Sequence, residues 1–587
     1  MEITNTSPQN YLLICEIGPI YDFVRQSRKT VDFWGASFLF SYFMSEVARD
    51  IKDNGGAIFL PHLDNNPMRA GSGTITCGSI PDQIYATFTD TDRQRSNIEN
   101  RLKTVLEDVI KAIAPKVEAV AVAVAGHKGR RHDALFPGEV KNFFQFFYII
   151  HEINGIEPTF DEFVEAERKI RMRYAIRPFR QITGNDSIAK WEKCSLCGDR
   201  KRIYSIVVDK GAGLYHEEHI CSVCLLKRFL PEAVTSIFSG AAKIKEPQYK
   251  STSDIALSPI KACIATADDE IKNSYKTFIN ACEQASEEKD SEGRFFYDQV
   301  LRKKFAEKFA AWKKKIGEKY PEDTKLNWLN RPFYSIVYMD GDNMGDILKA
   351  NRDKFPSYIK DVSKVISDFS NAVDAIVSRH HGQLIFAGGE DIIFVIHPEY
   401  LLCCIKELNE TYNKYFADND HKYFADNDHT KSMAEKFTLS AGAMICYHKY
   451  PLSEAIHRAG VMLKDHAKKR KGKDATAISL IKGHTEALQF TFSNKSLGNL
   501  KRLKECLLRS EISRTTPYRI AENKELFAFL TDTVLRKNYL YTVIAGTRNP
   551  EKINPNIEEI VNLLMSFGDA ETMIDALLFA RFMLGDR

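Results

Sequence analysis

A chain of 587 residues is too long for one core, and at roughly 100–200 residues per unit it divides into about three to five. Hydrophobic residues at 44% and charged residues at 27% lie in the globular range, which excludes disordered, fibrous and coiled-coil classes. Lys+Arg 82 against Asp+Glu 78 leaves a net charge of only +4, so a uniformly basic phosphate-binding surface is excluded and local basic runs such as 464–473 are the nucleic-acid contacts to consider.

No stretch approaches the ~20 apolar residues that span a bilayer, and residues 1–10 are polar without a basic, then apolar, leader pattern. A cytoplasmic protein is expected, with its twelve cysteines reduced. The apolar run Tyr11-Leu12-Leu13-Ile14-Cys15-Glu16-Ile17 predicts a buried strand, punctuated by Gly18-Pro19 before a long helix over 20–52. Short β-rich pieces at 74–79 and 83–89, a helix at 98–113 and an apolar run at 117–125 complete an α+β unit of roughly 190 residues. Cysteines then cluster over 193–225, and 227–325 turns helical and charged, with 303–319 reading as a solvated lysine face.

A second α+β unit follows. Strands are predicted at 333–339, 383–387, 391–396, 437–446 and 476–481, and helices at 356–380, 399–415 and 452–470. The order βαββαβ followed by αβ is that of a ferredoxin-like core. From about 498 to 587 the pattern is helical, with Ile557, Ile560, Val561 and Leu564 at the spacing of a small bundle. The tandem octapeptide 414–421 and 422–429 reads as a duplicated surface loop, since doubling a loop costs only about 0.6 kcal/mol.

Two motifs in the second unit carry chemistry. Asp340-Gly341-Asp342-Asn343-Met344-Gly345 ends one strand, and Gly388-Gly389-Glu390-Asp391 turns between two others. In a ferredoxin-like sheet these ends are adjacent, so Asp340 with Glu390 or Asp391 can offer oxygen ligands to a hard cation such as Mg²⁺, while the glycines admit a triphosphate. Read separately, each motif is also an ordinary turn or surface loop. Lys464 and Lys468, four apart on the predicted helix 452–470, are either phosphate-neutralising cations or a solvated face.

The pairs Cys194-x-x-Cys197 and Cys221-x-x-Cys224, 23 residues apart, have the spacing of a closed, structural Zn²⁺ site, with redox chemistry as the rival reading. His132-Asp133 lacks the further ligands of a phosphohydrolase site and reads as surface. His380-His381 reads as the cationic end of a helix.

Ile17-Gly18-Pro19-Ile20, the run Ser27-Arg28-Lys29-Thr30-Val31-Asp32-Phe33-Trp34-Gly35-Ala36-Ser37, the cysteine pairs and the two acidic motifs, taken in order over about 11–485, resemble the large palm/cyclase subunit of type III-B (Cmr-type) CRISPR RNA-guided effector complexes. That resemblance implies an α+β multi-domain fold: an N-terminal inactive palm (1–190), a zinc-binding insert (191–230), a helical region (231–327), a catalytic palm (328–490) and a C-terminal helical domain (491–587).

It further implies a target-RNA-activated nucleotidyl transferase that makes a cyclic oligoadenylate messenger from ATP, with partners in other complex subunits, guide RNA and target RNA. Asp340, the Gly341 carbonyl and Glu390 would hold Mg²⁺ or Mn²⁺, Asp391 would support them, and Gly388 and Gly389 would line the triphosphate, beside Asp342, Lys464 and Lys468. Glu390 departs from the family's usual aspartate there. Glu16-Ile17-Gly18 lacks the paired carboxylates, so the first palm would cradle the second substrate. The early first strand corresponds to members without an N-terminal HD nuclease domain. Some of those are thought to use S-adenosylmethionine as acceptor; an inactive RNA-binding scaffold is a further alternative, and a free-standing diguanylate cyclase another, disfavoured by the zinc insert and the two palms.

Overall fold

The computed structural model describes residues 9–70, 74–90, 94–125, 129–131, 136–176, 192–209, 215–237, 243–244, 249–286, 291–320, 324–423, 437–470, 473–483, 485–545 and 556–585. No helix among them is long and apolar enough to cross a membrane.

The first sheet orders its strands Ala57–Leu60, Gln83–Thr89, Asn10–Gly18 and Gln145–Ile153, all antiparallel. This is the ferredoxin-like order. Period-two alternation along the central strand explains its layering. Leu13, Cys15 and Ile17 join the core that includes the helices Thr30–Asp53 and Gln94–Ala125. Leu12 and Ile14 join Phe163, Ala166 and Ile170 of the helix Phe160–Ala175 in a second core cluster.

The predicted helix 20–52 is broken into Ile20–Arg25 and Thr30–Asp53. Asp32 makes the break: its buried carboxylate accepts the N–H groups of Arg28 and Lys29 at 3.1 and 3.0 Å, capping the second helix. Arg228 Nη2, 3.0 Å from Asp32, fixes that cap from the helix Ser222–Ile237. Residues 117–125 are the end of a helix that continues past Pro115, and the strand Gln145–Ile153 was not predicted.

The second sheet has six strands in the order Gln383–Gly388, Asp391–Ile396, Phe333–Gly341, Leu439–Tyr447, Ala475–Lys482, Thr485–Ser493. The first four repeat the ferredoxin-like order, and the last is an unpredicted hairpin partner of the fifth. The helix expected over 452–470 is α-helical only over Leu452–Val461 and then widens to a π-turn, Met462–Ala467. That turn packs Met462, Leu463 and Ala467 on Ala475 and Ala477.

The helix Pro398–Tyr423 takes in the first octapeptide copy, against the expected loop, because Phe416 is buried and stacks on Phe437 with ring centroids 3.9 Å apart. Residues 424–429 of the second copy lie outside the described residues, as do His132 and Asp133. His380 is the C-cap of the helix Ser357–Arg379, its Nε2 2.6 Å from Glu407. In Ala306–Lys319 only Trp312 and Ile316 are buried, as a solvated lysine face requires.

The two palms meet directly. Ala387 donates its N–H to the Gly78 carbonyl at 3.1 Å, which covers the edge strand of the second sheet, and the His62 N–H donates to Ser363 Oγ at 2.8 Å. The C-terminal helices anchor through Asn327 Nδ2 and Arg331 Nη2, which donate to the carbonyls of Leu584 and Phe582 at 2.9 and 2.8 Å.

Candidate active site and cysteine cluster

The site begins with strand pairing. Met339 faces Ile392 across antiparallel strands and Gly388 faces Asp391, so the end of the Phe333–Gly341 strand lies beside the Gly389-Glu390 turn. Only the first of the two turn residues, Gly389, has positive φ (+64°), the requirement of a type II′ hairpin. Ser370 Oγ donates to the Gly389 carbonyl at 2.8 Å and pins the turn.

This turn drives Glu390 against Gly341, where a Cβ would stand 2.9 Å from the Glu390 carboxyl carbon. A side chain at 341 would push the Glu390 carboxyl away, so glycine permits the contact between the motifs. Glu390 Oε2 is buried and has no hydrogen-bond partner among the described residues. Burial, then the neighbouring Asp340, pushes the Glu390 pKa up to about 7. Burial raises Asp340 as well, Lys468 opposing and Asp342 adding to the rise. Asp391 is exposed at the groove mouth, yet desolvation by the protein packed around its carboxyl, then Asp340 and Glu390, raises its pKa well above the carboxylate range.

Lys468 supplies the countercharge. Its Nζ stands 3.0 Å from Asp340 Oδ2 and 3.3 Å from Asp342 Oδ1, and it donates to the Gly341 carbonyl. Lys464 is placed elsewhere: exposed, with Nζ 5.6 Å from the centroid of the Tyr21 ring in the first palm. Asp342 is fully turned inward. It accepts from Thr438 Oγ1 and Ser440 Oγ at 2.9 Å and from the Asp474 N–H at 3.1 Å, so its oxygens organise the strand ends.

Glu390 and Asp391 line a groove of about 870 Å³ between the two palms, within the ~300–1,000 Å³ of small-molecule sites, while Asp340 and Asp342 lie behind its lining. Gly388 and Gly389 line one wall, and Asp82, Arg168 and Arg171 of the first palm line the other. Sequence reasoning missed those three, although Arg168-x-x-Arg171 at i,i+3 on the helix Phe160–Ala175 is a one-face signal.

In the insert, the thiols of Cys194, Cys197, Cys221 and Cys224 all lie within 4.8 Å of one another, and the Cys197 and Cys221 sulfurs are 3.9 Å apart. Zn–S bonds of about 2.3 Å place tetrahedral sulfurs about 3.8 Å apart, so the four fit one zinc. Hydrogen bonding with Cys194 lowers the Cys197 pKa and raises those of Cys221 and Cys224.

Two family models match the chain: Cas10/Cmr2, second palm domain, over residues 333–477, and CRISPR-associated protein Cmr2, N-terminal, over residues 12–115. The curated CRISPR system Cmr subunit Cmr2 of Pyrococcus furiosus is 24% identical over 562 residues, covering 80% of this chain and 61% of that protein. The chain thus spans less than two thirds of that relative's length. Among solved structures, the type III-B Cmr-beta cryo-EM structure of the apo state matches with TM-score 0.64 and 13% identity, covering 99% of this chain and 82% of the other. The Cmr-beta structure bound to cognate target RNA matches with TM-score 0.62 and 14% identity, covering 100% and 84%. Identities this low establish a shared fold.

Proposed function

We propose that this chain, which belongs to the Cas10/Cmr2 family, is the signalling subunit of a type III-B CRISPR complex and forms an adenylate messenger from ATP in its second palm. The observation that carries this reading is the convergence of the two motifs, Glu390 packing against Gly341 beside the Lys468–Asp340 pair, with Glu390 lining the inter-palm groove and its Oε2 buried and unpartnered among the described residues. An all-oxygen donor set of this kind fits a hard divalent cation, Mg²⁺ or Mn²⁺.

A cation held there supplies charge against the triphosphate and lowers the pKa of an attacking hydroxyl. The protein's own residues position the reactants. Gly389 presents a backbone with open space where a Cβ would stand, so phosphate oxygens can approach it. Lys468 neutralises Asp340 and Asp342 and, once released by a cation bound between the carboxylates, would serve as a countercharge for phosphate. Across the groove, Arg168 and Arg171 provide cations for a second substrate, the role left to the first palm. The four cysteines hold structural zinc and take no part in the reaction.

Incubation of the assembled complex with ATP, Mg²⁺, guide and target RNA releases pyrophosphate, and Glu390→Ala with Asp391→Ala reduces the rate at least about 100-fold. An unchanged rate in the double variant overturns the proposal. Mass spectrometry of the product, with and without S-adenosylmethionine, separates cyclic oligoadenylate from an adenylated acceptor.

A further inference from the structure

A second cleft borders the cysteine cluster at Cys197 and includes no residue of the two acidic motifs. Its volume is about 1430 Å³, above the ~300–1,000 Å³ of small-molecule pockets, so it suits a length of polymer. Its walls come from every unit preceding the C-terminal helices. The first palm contributes Arg25 and Arg28, and the cysteine knuckle contributes Cys197. Arg294 and Lys304 come from the helical region, and His448 to Ser453 from the second palm.

Five cations line it, Arg25, Arg28, Arg294, Lys304 and Lys449, against the carboxylates of Asp22 and Asp298. Asp298 is already committed: it caps the helix Gln299–Lys304 by accepting the N–H groups of Val300 and Leu301 at 2.8 and 2.9 Å. Arg25, Lys304 and Lys449 are exposed and make no ion pair with an acid among the described residues. Three uncompensated cations on separate walls mark the cleft as a binding site for negative charge spread along a chain.

A second observation comes from the second palm. His448 is 4% exposed; its Nδ1 lies 2.8 Å from Ser253 Oγ, and its Nε2 is buried without a partner among the described residues. A donating Ser253 hydroxyl leaves the proton on Nε2, a donor for a phosphate or ribose oxygen. A buried donor left unpaired costs about 1–3 kcal/mol, which a ligand acceptor would relieve.

We infer that this cleft binds the phosphodiester backbone of a single-stranded RNA segment, through Arg25, Lys304 and Lys449 and the Nε2 of His448. The inference rests on the proposed function for the presence of RNA; the place of contact comes from the charge and shape of the cleft. Because all four units meet there, a bound strand would touch each of them.

The test is the triple variant Arg25→Glu, Lys304→Glu, Lys449→Glu in the full chain, whose three positions are exposed and outside the groove of the acidic motifs. Affinity for a short fluorescein-labelled single-stranded RNA is measured by anisotropy across a salt series. Affinity is expected to fall on the order of 10–100-fold, and the slope of log K against log salt to flatten by about 2, at ~0.7 per phosphate contact. Arg25→Lys with Lys304→Arg and Lys449→Arg restores both. Unchanged affinity and slope overturn the inference.

In the assembled complex, 4-thiouridine placed in the guide or in the target strand crosslinks to residues 294–304 or 448–453, and the productive arm identifies the strand. Crosslinks from both RNAs only to residues outside the cleft, with a lysine-reactive protein crosslinker joining Lys304 or Lys449 to another subunit, also overturn it. Binding of a fluorescent ATP analogue is expected to be unchanged in the triple variant. Loss of ATP binding in Glu390→Ala with RNA binding intact therefore bears on the active site alone.

Discussion

The ammonium of Lys468 lies 3.0 Å from the carboxylate of Asp340, holding one of the oxygens that the proposed cation would use. Burial pulls the Lys468 pKa down, and Asp340 and Asp342 more than offset it, leaving it above the ordinary ammonium range. Lys468→Met leaves two buried-side carboxylates uncompensated. A loss of roughly 1–3 kcal/mol is expected, below the ~3–5 kcal/mol of a fully buried broken pair because the lysine side chain is 17% exposed. Thermal unfolding checks it: the variant melts earlier, and millimolar Mg²⁺ recovers more stability in the variant than in the parent. Equal melting temperatures would contradict the placement.

The Glu390 carboxyl, raised to about 7 from 4.5, gives a pH dependence with a definite sign. Between those values the native state holds more protons than the unfolded chain, so stability falls as pH rises from about 4.5 to 7 and levels off above. The whole contribution is about 3 kcal/mol at most, at 1.36 kcal/mol per pKa unit. Glu390→Gln shallows that slope, leaving the part that the raised carboxyls of Asp340 and Asp391 contribute. Denaturant titrations at pH 5, 6, 7 and 8 measure it, with persistence of the same slope in Glu390→Gln as the contrary result.

Gly341→Ala tests the contact between the two motifs, since a Cβ meets the Glu390 side chain while the strand pairing is untouched. Activity is expected to fall about 100-fold, as for loss of a transition-state charge contact, with a stability change of about 1–2 kcal/mol. Asp342→Asn should show the reverse balance. Its carboxylate accepts from Ser440, Thr438 and the Asp474 N–H, so stability falls by about 1–3 kcal/mol.

The position of the acidic site was legible because both motifs occupy strand ends and the βαββαβ order makes those strands neighbours. What the residues did around it was less so. Lys464 and Lys468 share one spacing, but the π-turn Met462–Ala467 and its packing on Ala475 and Ala477 decide that only Lys468 reaches Asp340. Asp340 and Asp342 differ by two residues in sequence and by everything in surroundings, because Thr438 and Ser440 lie beyond a long helix that sequence patterning cannot dock. The strand Gln145–Ile153 escaped notice because most of its residues are half-buried and give no clear alternation. The four cysteines needed only their spacing.

The cysteine cluster predicts one zinc per chain, measured by elemental analysis of the purified protein. Cys197→Ser lowers the zinc content and destabilises the packing of the helix Ser222–Ile237 on the first palm, including the Arg228–Asp32 pair. Full zinc content in Cys197→Ser would contradict the four-sulfur site.

The most direct measurement of the central claim is an anomalous difference map from crystals soaked in Mn²⁺. A peak is expected within about 2.0–2.2 Å of carboxylate oxygens of both Asp340 and Glu390 and of the Gly341 carbonyl, with Lys468 displaced from Asp340. A map with no peak between those residues at saturating Mn²⁺, or with Lys468 still on Asp340 and metal bound only elsewhere, would contradict it.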